Sequence, residues 1–316
     1  MDVPPLGVGD HPPPEVVVVA YGAPQLLRRA LEPLAGLMPL TVVDNSSLEE
    51  IERIATSAGG VYHDLGRNGG FAFGVNQALA RRQAPERDVL LLNPDAVVRP
   101  RDIAVLQTAL REHPGAACVT PSQCDADGVR SQVCWPFPTP ARYVADAARS
   151  AHRLRERGRY VVGSVLLLRR QALDEVGGFD ERFFLYFEET DWEYRAHLAG
   201  WTNEVVEEAT AMHVGGGTST DERLRELEKN ASLEEYLRKH YGAAGWQLSR
   251  AAVVVEALAR AALHAGTPRH ECLERAGNFA RGPVRVRHAA GPREEHRRHR
   301  RHERRLVAHG RQHPGG

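Results

Sequence analysis

Between residues 15 and 120 the sequence alternates short, unbroken apolar runs with segments of helical spacing, and few folds accommodate that alternation. Val16-Val17-Val18-Val19-Ala20-Tyr21 has no polar residue at alternate positions, as expected of a strand covered on both faces. Leu40–Val43, Val61–His63, Val89–Leu92 and Ala116–Thr120 repeat the pattern, and helices are predicted over 25–37, 48–57, 71–82 and 101–112. The expectation is an α/β domain built on a mostly parallel sheet with helices on both faces. Ligands of such sheets sit beyond the carboxyl ends of the strands. Asp44 closes the second run there, and Asn93-Pro94-Asp95 closes the fourth.

The second half is less regular. It predicts a strand over 160–168, a short helix over 171–176, a turn at Gly177–Asp180, an aromatic stretch at Phe183–Phe187, a helix over 188–199 and a strand over 202–206. Any of Thr218, Ser219, Thr220 or Asp221 can cap a helix running to about 240, and a further helix is expected over 246–265.

Hydrophobic residues make up 42% and charged residues 26% of the 316, which predicts a folded core. Residues 281–316 hold eleven Arg against three Glu, so a basic tail follows a mildly acidic globule. The four cysteines match no zinc spacing and are too few for a disulfide framework, which points to a reducing cytoplasm. Residues 1–14 hold five prolines and no signal pattern, and read as a disordered leader. No apolar run is long enough for a membrane span. The expected organisation is a catalytic domain over 15–240, with a nucleotide-binding half at 15–120 and an acceptor half at 121–240. A helical appendage at 241–265 and a disordered Arg/His-rich tail at 266–316 follow it.

Several groups carry chemistry. Asp44, in Val-Val-Asp-Asn-Ser-Ser, can accept bonds from a ribose hydroxyl or a pyrimidine N–H, although Asp-Asn-Ser is equally ordinary turn and cap chemistry. Asn68-Gly69-Gly70-Phe71-Ala72-Phe73-Gly74-Val75-Asn76 lets backbone approach a ligand at a helix start, but follows the third strand and so is not the dinucleotide pattern. Asp95 is a hard oxygen ligand suited to Mg²⁺ or Mn²⁺, and His213, beside Gly215-Gly216-Gly217, is its candidate partner. Glu188, Glu189 and Asp191 crowd one turn, which raises carboxyl pKa values and suits a general base. Asp191 and Arg195 also have the spacing of a purely structural i,i+4 pair.

Taken in order, these motifs resemble family 2 of the inverting glycosyltransferases, which has the GT-A fold, and in particular its rhamnosyltransferase-like branch. The matching pieces are residues 43–46, 68–76 and 92–95, Gly163-Ser164 with Arg169-Arg170, the run Gly177 to Trp192, and His213 with the glycines that follow. The resemblance implies a nucleotide-sugar donor, dTDP- or UDP-linked, and a glycan or lipid-linked acceptor. It places donor contacts at Ala20, Tyr21, Asp44, Asn45, Asn68, Gly69, Phe71, Asn76, Asn93 and Asp95. Acceptor contacts fall at Gly163, Ser164, Tyr186 and Trp192. The divalent metal falls on Asp95 and His213, and the base on Glu189 with Glu188 and Asp191 as alternatives. Asn93 stands where the family's Asp-x-Asp motif has its first aspartate, and Glu189 where an aspartate is usual.

Two other readings compete. A sugar nucleotidyltransferase wants a basic glycine loop after the first strand, where only Gly22-Ala23-Pro24 stands. An inactive binding module would have lost carboxylates that are all present. Outside the domain, the 246–265 helix either packs on the protein or lies at a membrane interface as a peripheral contact, with the basic tail attracting anionic lipid. The tail lacks aromatic interleaving, so specific nucleic-acid binding is not expected.

Overall fold

The computed structural model describes residues 12–149, 158–213, 215 and 222–290. Of the leader expected to be disordered over 1–14, residues 1–11 lie outside the described residues, while Pro12 and Pro13 accept hydrogen bonds from Gln107 and Arg87 and Pro14 is buried; the glycine-rich stretch after His213 and the Arg-rich segment 291–316 lie wholly or largely outside the described residues. Two compact units are present, the first comprising 1–138 with 154–225 and the second 139–153 with 226–316.

The first unit is a sheet flanked by helices. Its strands are β1 (Glu15–Ala20), β2 (Leu40–Asp44), β3 (Val61–Asp64), β4 (Val89–Leu92), β5 (Ala96–Val98), β6 (Ala116–Cys124), β7 (Arg130–Ser131), β10 (Val165–Leu168) and β11 (Thr202–His213), while β8 (Cys134–Pro136) and β9 (Arg159–Val161) form a separate ribbon. The main sheet runs β3-β2-β1-β4-β10-β6-β11-β5, with β7 paired to β6.

Odd and even positions of one strand explain the unbroken apolar runs. Val16, Val18, Leu90 and Leu92 face a core completed by α1 (Pro24–Leu31), α2 (Glu49–Ser57) and α4 (Pro100–Glu112) through Leu27, Ile51, Ile103 and Leu106. Val17, Val19, Val89 and Leu91 face a second core completed by α3 (Phe71–Leu79), α6 (Arg170–Val176) and α7 (Glu188–Leu198) through Val75, Leu173 and Trp192. Each such side chain contributes about 1.5–3 kcal/mol on burial. Gly74 lets α3 approach β1 closely, since a Cβ there would lie 2.5 Å from Val19 Cγ1.

The sheet is mixed, and its parallel ladders are the longer ones. β3, β2, β1 and β4 are mutually parallel, but β10 is antiparallel to both β4 and β6, and β11 is parallel to β6 and antiparallel to β5. The expected strand over 160–168 is two strands broken at 162–164, and the strand expected to end at 206 continues to His213. These departures place the site. Because β10 runs backwards, its first residue Val165 pairs with the last residue of β4, Leu92, so Gly163-Ser164 reaches the rim where β1, β2 and β4 end.

In the second unit α8 (Glu222–Leu263) is kinked at Gly242, whose φ is +66°. The tail expected to be irregular from 266 forms α9 (Thr267–Arg281) and α10 (Pro283–Ala290). Composition misleads here because few apolar residues suffice: Phe279 and Ala276 are buried, and the Phe279 ring lies 6.2 Å from Trp246. Gly245 packs on Pro140 of α5 (Pro140–Ala147). No helix among the described residues is long and apolar enough to cross a membrane.

Candidate active site

Asp95 and His213 come together at the rim. β5 pairs with β11 so that His213 stands opposite Ala96, and His213 Nε2 lies 3.3 Å from Asp95 Oδ1. Asp95 is buried and His213 half-buried. In the same turn Asn93 Oδ1 is buried and accepts no hydrogen bond among the described residues. A carboxylate, an imidazole and an unsatisfied carboxamide oxygen are a donor set that fits a hard or borderline divalent cation. Among the described residues no group of three or more His, Cys, Asp or Glu side chains could hold a metal.

The Asn93 N–H donates to Ser164 O at 2.8 Å. Its neighbour Gly163 is packed against Glu189, where an added Cβ would lie 3.1 Å from Glu189 Cγ. The carboxylates of α7 are thus tied to the turn that carries Asp95. Tyr186, just before α7, registers the same convergence. Burial pushes its phenol pKa up, Arg225 opposes this, and the charges of Glu188, Glu189 and Asp95 raise it further.

Within the acidic cluster the three groups differ. Asp191 is fully buried and accepts from Arg195 Nε at 3.0 Å, while the same guanidinium donates to the carbonyls of Val176 and Gly178. Asp191 is a structural partner, which removes it as a candidate base. Glu188 is buried, its Oε2 accepts no hydrogen bond, and desolvation followed by the neighbouring Glu189 charge holds its pKa well above the usual range. Glu189 is more open. Glu193, one turn on, was not singled out in the sequence. It is fully buried, accepts from the Val161 N–H at 2.8 Å, and has its pKa raised by burial and, secondarily, by Glu189. Its i,i+4 spacing from Glu189 is the signal that marks it.

The glycine turn meets this site. Asn45 donates to Gly70 O and accepts from Gly69 N–H, and Asn68 Oδ1 accepts from Gly70 N–H. Gly70 has φ +89°, and a Cβ there would lie 2.5 Å from Phe184 O, the carbonyl that accepts the Phe71 N–H at 2.7 Å. The turn is thereby locked to the aromatic segment. Tyr186 and Phe187 both adopt left-handed backbone, with φ of 66° and 70°. Each such residue costs roughly 1–2 kcal/mol, and the pair turns the chain into α7.

Several other expected contacts have different surroundings. Asp44 is buried, and its carboxylate accepts from Ser46 N–H and Oγ, Leu48 N–H and Tyr62 OH, so it caps the segment leading into α2. Asn76 donates to Phe179 O and Glu181 Oε1 and accepts from Phe179 N–H, which fixes the 178–181 turn and engages both N–H bonds of its amide within the protein. Trp192 is fully buried, donates to Gly177 O and stacks on Phe179, so it is not an acceptor contact. Ser164 is buried, and its hydroxyl donates to Gln123 Oε1 at 2.8 Å. Ala20 is buried at the end of β1, Tyr21 is exposed, and Phe71 is half-buried against the second core.

A sequence profile described as glycosyltransferase like family 2 matches residues 11–240. Over 232 residues the chain is 30% identical to the N-acetylglucosaminyl-diphospho-decaprenol L-rhamnosyltransferase of Mycobacterium tuberculosis, covering 63% of this chain and 75% of that protein. It is 25% identical over 187 residues to a low-salt glycan biosynthesis hexosyltransferase of Haloferax volcanii, covering 57% of this chain and 60% of that one. A solved glucosyl-3-phosphoglycerate synthase from Mycobacterium tuberculosis superposes with a TM-score of 0.49 at 14% identity, covering 74% of this chain and 81% of that one.

Proposed function

The chain belongs to the family 2-like glycosyltransferases, and from that premise we propose that it transfers L-rhamnose from dTDP-rhamnose, with inversion, to a glycan or lipid-linked glycan. The donor assignment draws on the rhamnosyltransferase relative. A UDP-sugar donor is the alternative. The catalytic domain in this reading spans 15–240, with nucleotide binding in 15–120.

The mechanism rests on two ties: His213 Nε2 lies 3.3 Å from Asp95 Oδ1, and the turn that carries Asp95 bonds through Asn93 N–H to Ser164 O, whose neighbour Gly163 packs on Glu189. Asp95 and His213, with Asn93 beside them, would hold Mg²⁺ or Mn²⁺, and the cation would neutralise the leaving diphosphate. Glu189 takes the proton from the acceptor hydroxyl. Glu188, buried and favouring its neutral form, is less suited to that task than its more open neighbour. The turn Asn68–Phe71 offers backbone N–H groups near a helix start toward the donor, and Tyr21, exposed beyond β1, lies at the same rim. Gly163 gives the acceptor oxygen room beside Glu189. Asp44 acts by shaping the base-binding edge of β2, since its own carboxylate is saturated.

Peripheral membrane contact is part of the proposal. Leu248, Val255, Leu258 and Leu263 are exposed on α8, and exposed apolar side chains in a chain whose C-terminal sequence is Arg-rich suit an anionic bilayer surface. The site of action is then the inner face of the plasma membrane.

A thermal-shift series with dTDP, dTDP-rhamnose, UDP and UDP-glucose, each with and without Mn²⁺, tests the donor class. Metal-dependent stabilisation by dTDP ligands supports the reading. Stabilisation by UDP ligands alone replaces the donor, and the absence of any stabilisation overturns the site.

A further inference from the structure

The first unit contains an open cleft of about 270 Å³ at the carboxyl end of β6. Its wall includes Ser122, Gln123, Arg130, Gln132, Arg159 and Glu207. We propose that this cleft is a subsite for an uncharged sugar residue of the acceptor; the inference rests on the glycosyltransferase reading above and deepens it.

The cleft is a product of the local sequence. Pro121 in β6 has no N–H to give to the ladder. Opposite it the register of β11 slips, with Val206 paired to Pro121 but Thr210 paired to Ser122, so residues 207–209 bulge out. Bulges re-aim side chains and recur beside active sites. Here the bulge brings Glu207 onto the Ser122 hydroxyl at 2.6 Å. On the other side Gly128, at φ +80°, turns the chain so that β7 presents Arg130.

The chemistry of the wall selects the ligand. Arg130 pairs with Glu207 at 3.3 Å, and Arg159 pairs with Glu204 at 3.4 Å. Each guanidinium already has a carboxylate beside it, so an anion would meet Glu207 as well as arginine. Vicinal hydroxyls suit such a wall, because they donate to carboxylate and accept from guanidinium and amide together. Gln123 adds a buried donor. It is 3% exposed, its Oε1 accepts from Ser164, and its Nε2 makes no hydrogen bond among the described residues.

Position joins the cleft to the reaction. Gln123 holds Ser164, and the adjacent Gly163 packs on Glu189. A second tie runs from Val133 in the cleft wall, whose carbonyl accepts the Val162 N–H at 2.9 Å. An acceptor held here at one sugar presents a neighbouring hydroxyl toward Glu189.

Saturation-transfer NMR on the full chain tests this, with methyl glycosides of glucose, galactose and N-acetylglucosamine as neutral probes and methyl glucuronide as the anionic one. Arg130→Ala, Gln132→Ala and Glu207→Ala change exposed side chains, so the fold survives. The expected result is binding of a neutral glycoside that weakens roughly tenfold in Arg130→Ala and Glu207→Ala, the loss of one charge-assisted hydrogen bond, with dTDP affinity unchanged. Neutral binding that the variants leave intact, binding of the glucuronide alone, or binding of no glycoside overturns the subsite while nucleotide binding keeps the transferase reading. If the wild type binds neither dTDP nor UDP with Mn²⁺, the transferase reading itself fails and takes the subsite with it.

Discussion

The imidazole Nε2 of His213 lies 3.3 Å from Asp95 Oδ1 because the antiparallel pairing of β5 and β11 seats His213 opposite Ala96. The pairing is a backbone property, so either side chain can be removed without disturbing the other's position. Asp95→Ala and His213→Ala should each leave the melting temperature nearly unchanged. They should lower kcat/KM on the order of 100-fold through lost metal affinity. A Mn²⁺ titration of initial rates checks this: the variants require far more metal, and an unaltered metal dependence rules the pair out as the cation site.

Glu188 and Glu189 should separate cleanly. Glu189→Gln is expected to lose transfer by at least about 10²-fold, the usual scale for a general base, while dTDP binding by calorimetry stays as in the wild type. Full turnover in Glu189→Gln would move the base elsewhere.

Glu188→Gln should raise stability, and only in one pH range. Burial and the Glu189 charge raise the folded-state pKa of Glu188 above the ordinary value of 4.5. The folded protein then binds more protons than the unfolded chain between those two values, so stability falls as pH rises through that window. Replacing the acid by its neutral amide removes the penalty. Thermal melts should show a higher midpoint than wild type at pH 7 and no difference at or below the ordinary carboxylate value. A gain that persists in acid would point to a cause other than titration.

Gly163→Ala and Gly70→Ala form an informative contrast. At Gly163 a Cβ would lie 3.1 Å from Glu189 Cγ and 3.2 Å from its Cβ, so the Glu189 stem must give by a few tenths of an ångström and the larger cost falls on activity, with the melting temperature moved less than in the other variant. At Gly70 the Cβ meets the Phe184 carbonyl and the φ of +89° is strained for any L side chain. That variant should lose at least about 2 kcal/mol in urea unfolding. Equal stability of the two variants would contradict the contact geometry.

Asn76→Ala should behave as a structural lesion. Three hydrogen bonds to the 178–181 turn disappear, costing about 2–3 kcal/mol at roughly 1 kcal/mol each. The donor KM should stay put once the variant is assayed well below its melting point. A raised donor KM with wild-type stability would restore Asn76 to the donor site.

Much of this architecture was legible because two-sided burial leaves a plain trace. After Glu15, β1 is apolar at every position, as is β4, since odd residues serve one core and even residues the other. The pairing of Asp95 with His213 was legible as chemistry, as was the locking of Asp191 by Arg195 at i,i+4. Other roles depend on long-range partners that spacing does not encode. Asn76 finds its partner in the 178–181 turn, Trp192 stacks on Phe179, and Ser164 bonds to Gln123. The reversed direction of β10 was equally hidden, because Val165–Leu168 has the same apolar signature whichever way it runs. Helices α9 and α10 escaped notice because a few contacts such as Phe279 on Trp246 order a segment whose bulk composition is polar.

The single bond from Phe71 N–H to Phe184 O has a mechanical meaning. With Gly70 wedged against the same carbonyl, the loop offered to the donor and the aromatic approach to α7 form one rigid coupler. A molecule that displaces one must carry the other with it. Movement of the Asn68–Phe71 turn is therefore mechanically coupled to movement of the segment that leads into α7.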